Sequence, residues 1–290
     1  MKLKTIILNV LLLFTIVLSC SDETGEIIEK IKTPYKEIIN VSYGNDTNQT
    51  FDIYLPENRN SKTKTMILIH GGAWVSGDKT DMNTLITLYK KDFPNIAIVS
   101  INYRLANETN PPFPMQINDI TEVINHLKQY KNSYKISEEF GLLGISAGGH
   151  LALLWSYAFD AQKNIKMVVG IVSPTNFTDP VYLNSTNPQL KLFLSIYNIN
   201  PDDIGFLEKI SPLHQVNSSS PPTIFFNGEQ DPLIPNSQGY DLKNKLTALG
   251  IENEFTLYPN AGHGWETPEL LDTWEKIKNF TKVHLTNEII

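Results

Sequence analysis

Cysteine is all but missing from this chain, with one residue, Cys20, among 290. No disulfide can therefore form within the chain, and its stability must come from a hydrophobic core. Basic residues are in deficit: 24 Lys and Arg stand against 31 Asp and Glu, a formal net charge of −7. A nucleic-acid backbone would be repelled by that balance, and nothing in it favours an anionic membrane surface. No sequence period of 20 to 50 residues suggests a repeat array. What is present is a 41% hydrophobic composition in which strand-like and helix-like runs alternate, which predicts one large α/β domain.

Long apolar runs are absent but for one. Behind Lys2 and Lys4, the stretch from Ile6 to Leu18 is broken by Asn9 and Thr15 and ends at Ser19-Cys20. It is short for a spanning helix, and its flanks are those of an exported leader, so residues 1–19 are expected to be a signal peptide. Val17-Leu18-Ser19-Cys20 resembles a bacterial lipoprotein cleavage box, which implies lipidation of Cys20. Residues 20–34 begin with acidic and polar side chains, from Ser21 to Glu26, and read as a tether from the lipid to the domain. The resemblance to exported lipoproteins with acidic residues after the Cys implies a bacterial outer-membrane location, on the periplasmic or surface face. Membrane contact is then expected only through the anchor. Asn-x-Ser/Thr sequons at Asn45, Asn107 and Asn176 are read as by-products of an Asn-rich composition.

The α/β domain is expected over residues 35–290. Two β-rich runs, 37–43 and 50–55, flank the turn-forming Gly44-Asn45-Asp46 and predict a hairpin. Residues 65–70 are apolar on both faces, as a strand of a parallel sheet must be when helices cover both sides. Further strands are predicted at 96–103, 140–143, 166–172, 223–227 and 254–258. Helices are predicted at 81–92, 116–130, 151–159, 237–249 and 268–282, the second with Ile117, Ile120, Ile124 and Leu127 on one face. Periodicity fades between residues 173 and 210, where Phe177, Tyr182, Phe193 and Tyr197 occur. An insertion of that length in a compact domain suggests a cap, placed at about 174–210, whose aromatics either line a ligand pocket or simply pack.

Residues 144–150, Gly-Ile-Ser-Ala-Gly-Gly-His, lie between a strand-like run and a helix-like run and fit G-x-S-x-G. That pattern puts Ser146 on a sharp turn, with Gly144 and Gly148 small because the backbone is close, and exposes its oxygen above a helix N-terminus. A serine hydroxyl needs a base to take its proton and a carboxylate to orient that base. His263, between glycines in Ala261-Gly262-His263-Gly264-Trp265, is the candidate base. Asp231, just past the strand 223–227, is the candidate carboxylate, with Glu229 as its rival. Backbone N–H groups of Gly72, Ala73 and Ala147 are the expected oxyanion donors, each worth about 3 to 4 kcal/mol. His70, Gly71 and His150 are read as supporting the backbone there, and His126, His214 and His284 as structural or solvent-facing. The chemistry calls for no metal and no cofactor.

On these residues the chain resembles the α/β-hydrolases of the hormone-sensitive-lipase-like esterase group, and among them the bacterial feruloyl and acetyl xylan esterase branch. The likeness extends to Gly77-Asp78-Lys79, Tyr103-Arg104-Leu105, Phe113-Pro114 with Asp119, Ser211-Pro212, Pro221-Pro222 and Asp231-Pro232. It implies a mostly parallel central sheet flanked by helices with a small cap, the chain order Ser, Asp, His, and hydrolysis of carboxylic esters through an acyl-enzyme. The expected substrate is a small or polysaccharide-linked ester, acetyl, feruloyl or similar. Where many relatives have a third glycine this chain has Ala73, a methyl group that favours smaller acyl groups. A prolyl-oligopeptidase-like peptidase, an arylformamidase and a non-enzymatic glycan-binding lipoprotein are the competing expectations. The sequence leaves the oligomeric state open.

Overall fold

The computed structural model describes residues 33–288 apart from 189–190, 192–194, 196–199 and 201. The leader, Cys20, most of the tether, Phe193 and Tyr197 lie outside the described residues. Among the described residues, eight strands form one sheet: β1 (Lys36–Ser42), β2 (Thr50–Leu55), β3 (Thr65–Ile69), β4 (Ala97–Ile101), β5 (Phe140–Ile145), β6 (Ile165–Ile171), β7 (Thr223–Gly228) and β8 (Asn253–Tyr258). Their spatial order is β1-β2-β4-β3-β5-β6-β7-β8. β2 runs antiparallel to both its neighbours, and every pairing from β4 to β8 is parallel.

Alternation along the strands explains why helices must cover both faces. Ile67, Ile69, Val99, Leu142, Val168 and Phe225 belong to one apolar cluster, while Met66, Leu68, Ile98, Leu143, Val169 and Phe226 belong to a second. The first cluster includes residues of helices Pro112–Gln129, Ala147–Ala158 and Asn236–Ala248, and the second residues of Asn83–Asp92 and Glu269–Thr281. Every residue of β3 and β4 is buried. Parallel strands shielded on both sides put their carboxyl ends, and the loops that leave them, along one rim, where ligand sites of open α/β sheets gather.

All eight strands fall where the apolar runs place them, and the hairpin pairs as expected. Two helices begin earlier than periodicity indicated. The long amphipathic one runs from Pro112, with Phe113 at non-helical φ −100° and ψ 133°, because Pro at the first turn can enter a helix but breaks its pattern. The helix expected from residue 151 starts at Ala147, since Gly and Ala at its first positions carry no hydrophobic period to read. The described residues of the segment expected to form a cap include a short helix at Pro180–Leu183 and a helix at Ile204–Ile210, started by Asp203 accepting from the Phe206 N–H at 3.0 Å.

Phe177 and Tyr182 are buried, with 0% and 1% exposure, in the first cluster. Phe177 packs against Trp74, His150 and Tyr182, so these two aromatics serve the core, not an open pocket.

Candidate active site

The turn from β5 into the helix Ala147–Ala158 exists because two glycines let chain segments touch. A Cβ on Gly144 would lie 2.1 Å from the Gly148 carbonyl oxygen, and one on Gly148 would lie 2.2 Å from the Ile69 carbonyl oxygen of β3. Ser146 is thereby held at φ 52° and ψ −118°, a sparsely populated conformation that costs about 1–3 kcal/mol. Its N–H donates to Ile171 of β6 at 2.7 Å, and its carbonyl accepts from the His150 N–H at 2.9 Å, so sheet and helix together fix the strained residue.

β7 and β8 bring the partners. Past β7, the Glu229 N–H donates to Tyr258 and the Gln230 N–H to Ala261, both at 2.9 Å, lacing the loop of Asp231 to the loop of His263. The Asp231 side chain is fully buried; its Oδ1 accepts from the N–H groups of Leu233 at 2.8 Å and Ile234 at 3.0 Å. Its Oδ2 lies 2.8 Å from His263 Nδ1. A carboxylate only accepts, so the proton of this imidazole sits on Nδ1 and Nε2 is left as an acceptor. His263 Nε2 lies 2.9 Å from Ser146 Oγ. Glu229, the rival carboxylate, is exposed.

The loop after β3 runs through Gly72 at φ 101°, Ala73 at φ 49°, Trp74 at φ 63° and Gly77 at φ 102°. It is closed by the N–H groups of Val75 and Ser76, which donate to the Gly72 carbonyl at 3.1 and 3.0 Å. The N–H groups of Gly72, Ala73 and Ala147 donate to no acceptor among the described residues. His70 is fully buried, stacked on Tyr103 at 4.3 Å between ring centres, with its Nδ1 2.7 Å from the Gly71 carbonyl. Desolvation holds its imidazole below the usual pKa, consistent with a neutral strut. The Tyr103 hydroxyl donates to the His70 and Gly71 carbonyls at 2.9 and 3.1 Å. Gly71 itself sits over the serine turn, where a Cβ would be 3.1 Å from the Ile145 carbonyl oxygen.

Two arrangements escaped sequence reasoning. Trp74 Nε1 donates to His150 Nδ1 at 3.2 Å, and His150 Nε2 donates to the Ile210 carbonyl at 2.7 Å. His150 therefore joins the loop after β3 to the last residue of the helix Ile204–Ile210 through the serine helix. Complete burial lowers its pKa to about 4. Only the proximity of Trp74 and His150 to the two motifs hinted at this. The second is a polar staple: Gln238 accepts from the N–H groups of Thr175 and Asn176 at 2.8 Å and donates to the Asn176 carbonyl at 2.8 Å and to Asp179 at 3.1 Å. It ties the start of the cap region to the helix following the Asp231 loop, a long-range pairing with no local signature. The other histidines are structural: His126 Nε2 meets the Tyr134 hydroxyl at 3.1 Å, His214 Nε2 meets Thr178 Oγ1 at 2.9 Å, and His284 Nε2 meets Glu252 at 3.3 Å. No cluster of three metal-ligating side chains occurs among the described residues.

A serine on a strained strand-to-helix turn, facing a histidine and a carboxylate from the ends of two further parallel strands, defines an α/β-hydrolase. Residues 51–246 match the family described as BD-FAE, and the chain belongs to that family. A truncated carbohydrate esterase from gut microbiota superposes with a TM-score of 0.73 at 22% identity, covering 87% of this chain and 96% of that one. Among characterised relatives, acylamino-acid-releasing enzyme 1 of Oryza sativa subsp. japonica is 23% identical over 257 residues, 80% of this chain and 32% of that protein. Isoprenylcysteine alpha-carbonyl methylesterase ICME of Arabidopsis thaliana is 25% identical over 248 residues, 77% of this chain and 55% of that protein. The chain thus spans from about a third to about half the length of these two relatives.

Proposed function

We propose that the protein is a serine carboxylesterase that hydrolyses small or carbohydrate-linked carboxylic esters through an acyl-enzyme. The observation that carries this reading is the unbroken hydrogen-bond chain from Ser146 Oγ to His263 to Asp231, 2.9 and 2.8 Å long. In the proposed cycle His263 Nε2 takes the serine proton as Oγ attacks the ester carbonyl, and Asp231 stabilises the imidazolium that results. The oxyanion is received by the N–H groups of Gly72, Ala73 and Ala147, which are preorganised by the loop after β3 and by the helix N-terminus. His263 then gives its proton to the leaving alcohol, and water attacks the acyl group by the same steps in reverse roles. The likeness to a carbohydrate esterase fold and to a methylesterase supports ester substrates.

A peptidase is the second reading, favoured by the likeness to an acylamino-acid-releasing enzyme. Assays of p-nitrophenyl acetate, N-formylkynurenine and a Gly-Pro anilide side by side separate esterase, formamidase and peptidase; turnover of the anilide alone would overturn the esterase. A fluorophosphonate is expected to label Ser146 in the folded protein, and failure to do so would favour a glycan-binding lipoprotein. We further infer that residues 1–19 are an export signal and that Cys20 is lipidated, anchoring the enzyme to a bacterial outer membrane. Labelled palmitate incorporated by the wild type and lost in Cys20→Ala is the expected result; equal labelling of both rejects the anchor.

A further inference from the structure

Beside the serine turn, on the face of the sheet covered by helices Asn83–Asp92 and Glu269–Thr281, lies a cavity of about 300 Å³ that the proposed chemistry does not use. One of its walls is His263 itself, and another is Ile145, the residue before Ser146. The rest is largely hydrocarbon and indole, from Leu85, Leu88, Trp265 and Trp274. Two of its four polar wall residues are engaged elsewhere: the Asp81 carboxylate accepts from the Asp78 N–H at 2.9 Å, and Thr273 Oγ1 accepts from Trp265 Nε1 at 2.9 Å, which leaves Thr84 and His263. Val172, another wall residue, is held at φ 46°, a conformation that a β-branched residue adopts only when its surroundings impose it.

We propose that this cavity binds one uncharged aryl or alkyl arm of the ester, and that any sugar ring of the substrate lies outside it. The inference rests on the esterase reading above. Contact with His263 places an occupant beside the group that exchanges protons with the reacting ester. A sugar placed here would bury hydroxyls against a wall with few partners to offer, whereas a hydrocarbon gains from leaving water. An apolar cavity of roughly 150 Å³ accepts a benzene, so this one accommodates about one substituted ring with a short chain. The arm belongs either to the acyl group or to the alcohol, and the substrates chosen below distinguish the two.

The test compares methyl acetate, benzyl acetate and methyl 3-phenylpropanoate in the wild type, in Leu85→Phe and in Leu85→Ala. Filling the cavity with Phe is expected to lower kcat/KM for one of the two aryl esters at least tenfold relative to methyl acetate, and opening it with Ala to raise the same ratio. An effect on benzyl acetate assigns the alcohol arm, and an effect on methyl 3-phenylpropanoate assigns the acyl arm. Ratios unchanged within twofold in both variants, at wild-type Tm, overturn the proposal while leaving the esterase intact. If no ester is cleaved and Ser146 resists fluorophosphonate, the esterase reading has failed on its own. Binding of benzyl alcohol and of 3-phenylpropanol, followed by tryptophan fluorescence, then decides the cavity: saturable quenching weakened at least fivefold in Leu85→Phe supports it, and none overturns it.

Discussion

At the scale of single residues, the contrast between Asp231 and Glu229 shows how environment selects one carboxylate from two that lie two positions apart. The Asp231 side chain is buried, accepts two backbone N–H groups and meets His263, while Glu229 faces solvent. Asp231→Asn is expected to lower kcat by about 10⁴-fold, because an amide that donates toward Nδ1 forces the wrong imidazole tautomer, whereas Glu229→Gln should stay within about twofold. Steady-state kinetics on p-nitrophenyl acetate checks both. His150 offers a test on stability. Its folded pKa, about 4, is depressed from an ordinary 6.5, so between these values the unfolded chain binds the proton that the folded one refuses. Its contribution to stability is therefore fully present above about pH 6.5 and fades as the pH falls towards 4, by about 3 kcal/mol in all. Urea titrations at pH 7 and pH 4.5 should show His150→Gln losing much less stability between them than the wild type.

At the scale of elements, the serine turn is a contact between three backbones before it is a catalytic device. β3, β5 and the helix Ala147–Ala158 approach so closely at Gly148 that a single methyl group has no room, its nearest neighbours being the Ile69 and His70 carbonyl oxygens at 2.2 and 2.3 Å. Gly148→Ala must push the helix away from β3. It is expected to cost more than about 4 kcal/mol or to prevent folding, measured by denaturant unfolding. The motif was legible in the sequence because this crowding permits only small residues, and crowding of that kind is local in the chain. The His150 link from the loop after β3 to Ile210, and the Gln238 staple between cap region and helix, were not legible. Each joins residues about 60 or more positions apart through one side chain, and no periodicity or composition marks such a pairing.

At the scale of the whole molecule, the start of the segment expected to form a cap, around Phe177 and Tyr182, is bound into the core. Phe177 is fully buried among Trp74, His150 and Tyr182. Burial also drives the Tyr182 phenol well above its ordinary pKa, helped by the negative charges of Asp231 and Asp179. Phe177→Ala should destabilise the protein by about 3–5 kcal/mol in a denaturant titration, the cost of a cavity in a packed core, and not merely alter chain-length preference. Phe177 and Tyr182, two of the aromatics that periodicity left ambiguous, thus belong to packing, while the apolar cavity beside the site opens on the opposite face of the sheet, between the helices Asn83–Asp92 and Glu269–Thr281.

Taken by itself, the sequence determined the eight strands, their mostly parallel sheet and the serine turn, and it offered His263 with either Asp231 or Glu229 as that serine's candidate partners. Buried parallel strands must be apolar on both faces, and a strained turn must be flanked by glycines, so both constraints are written in neighbouring residues. Only the tertiary structure decided which carboxylate meets the imidazole, what His150 holds together, and where hydrocarbon walls enclose space beside the serine. Those outcomes depend on distances between strand ends and between helices on opposite faces of the sheet, and they arise only when the whole chain has packed.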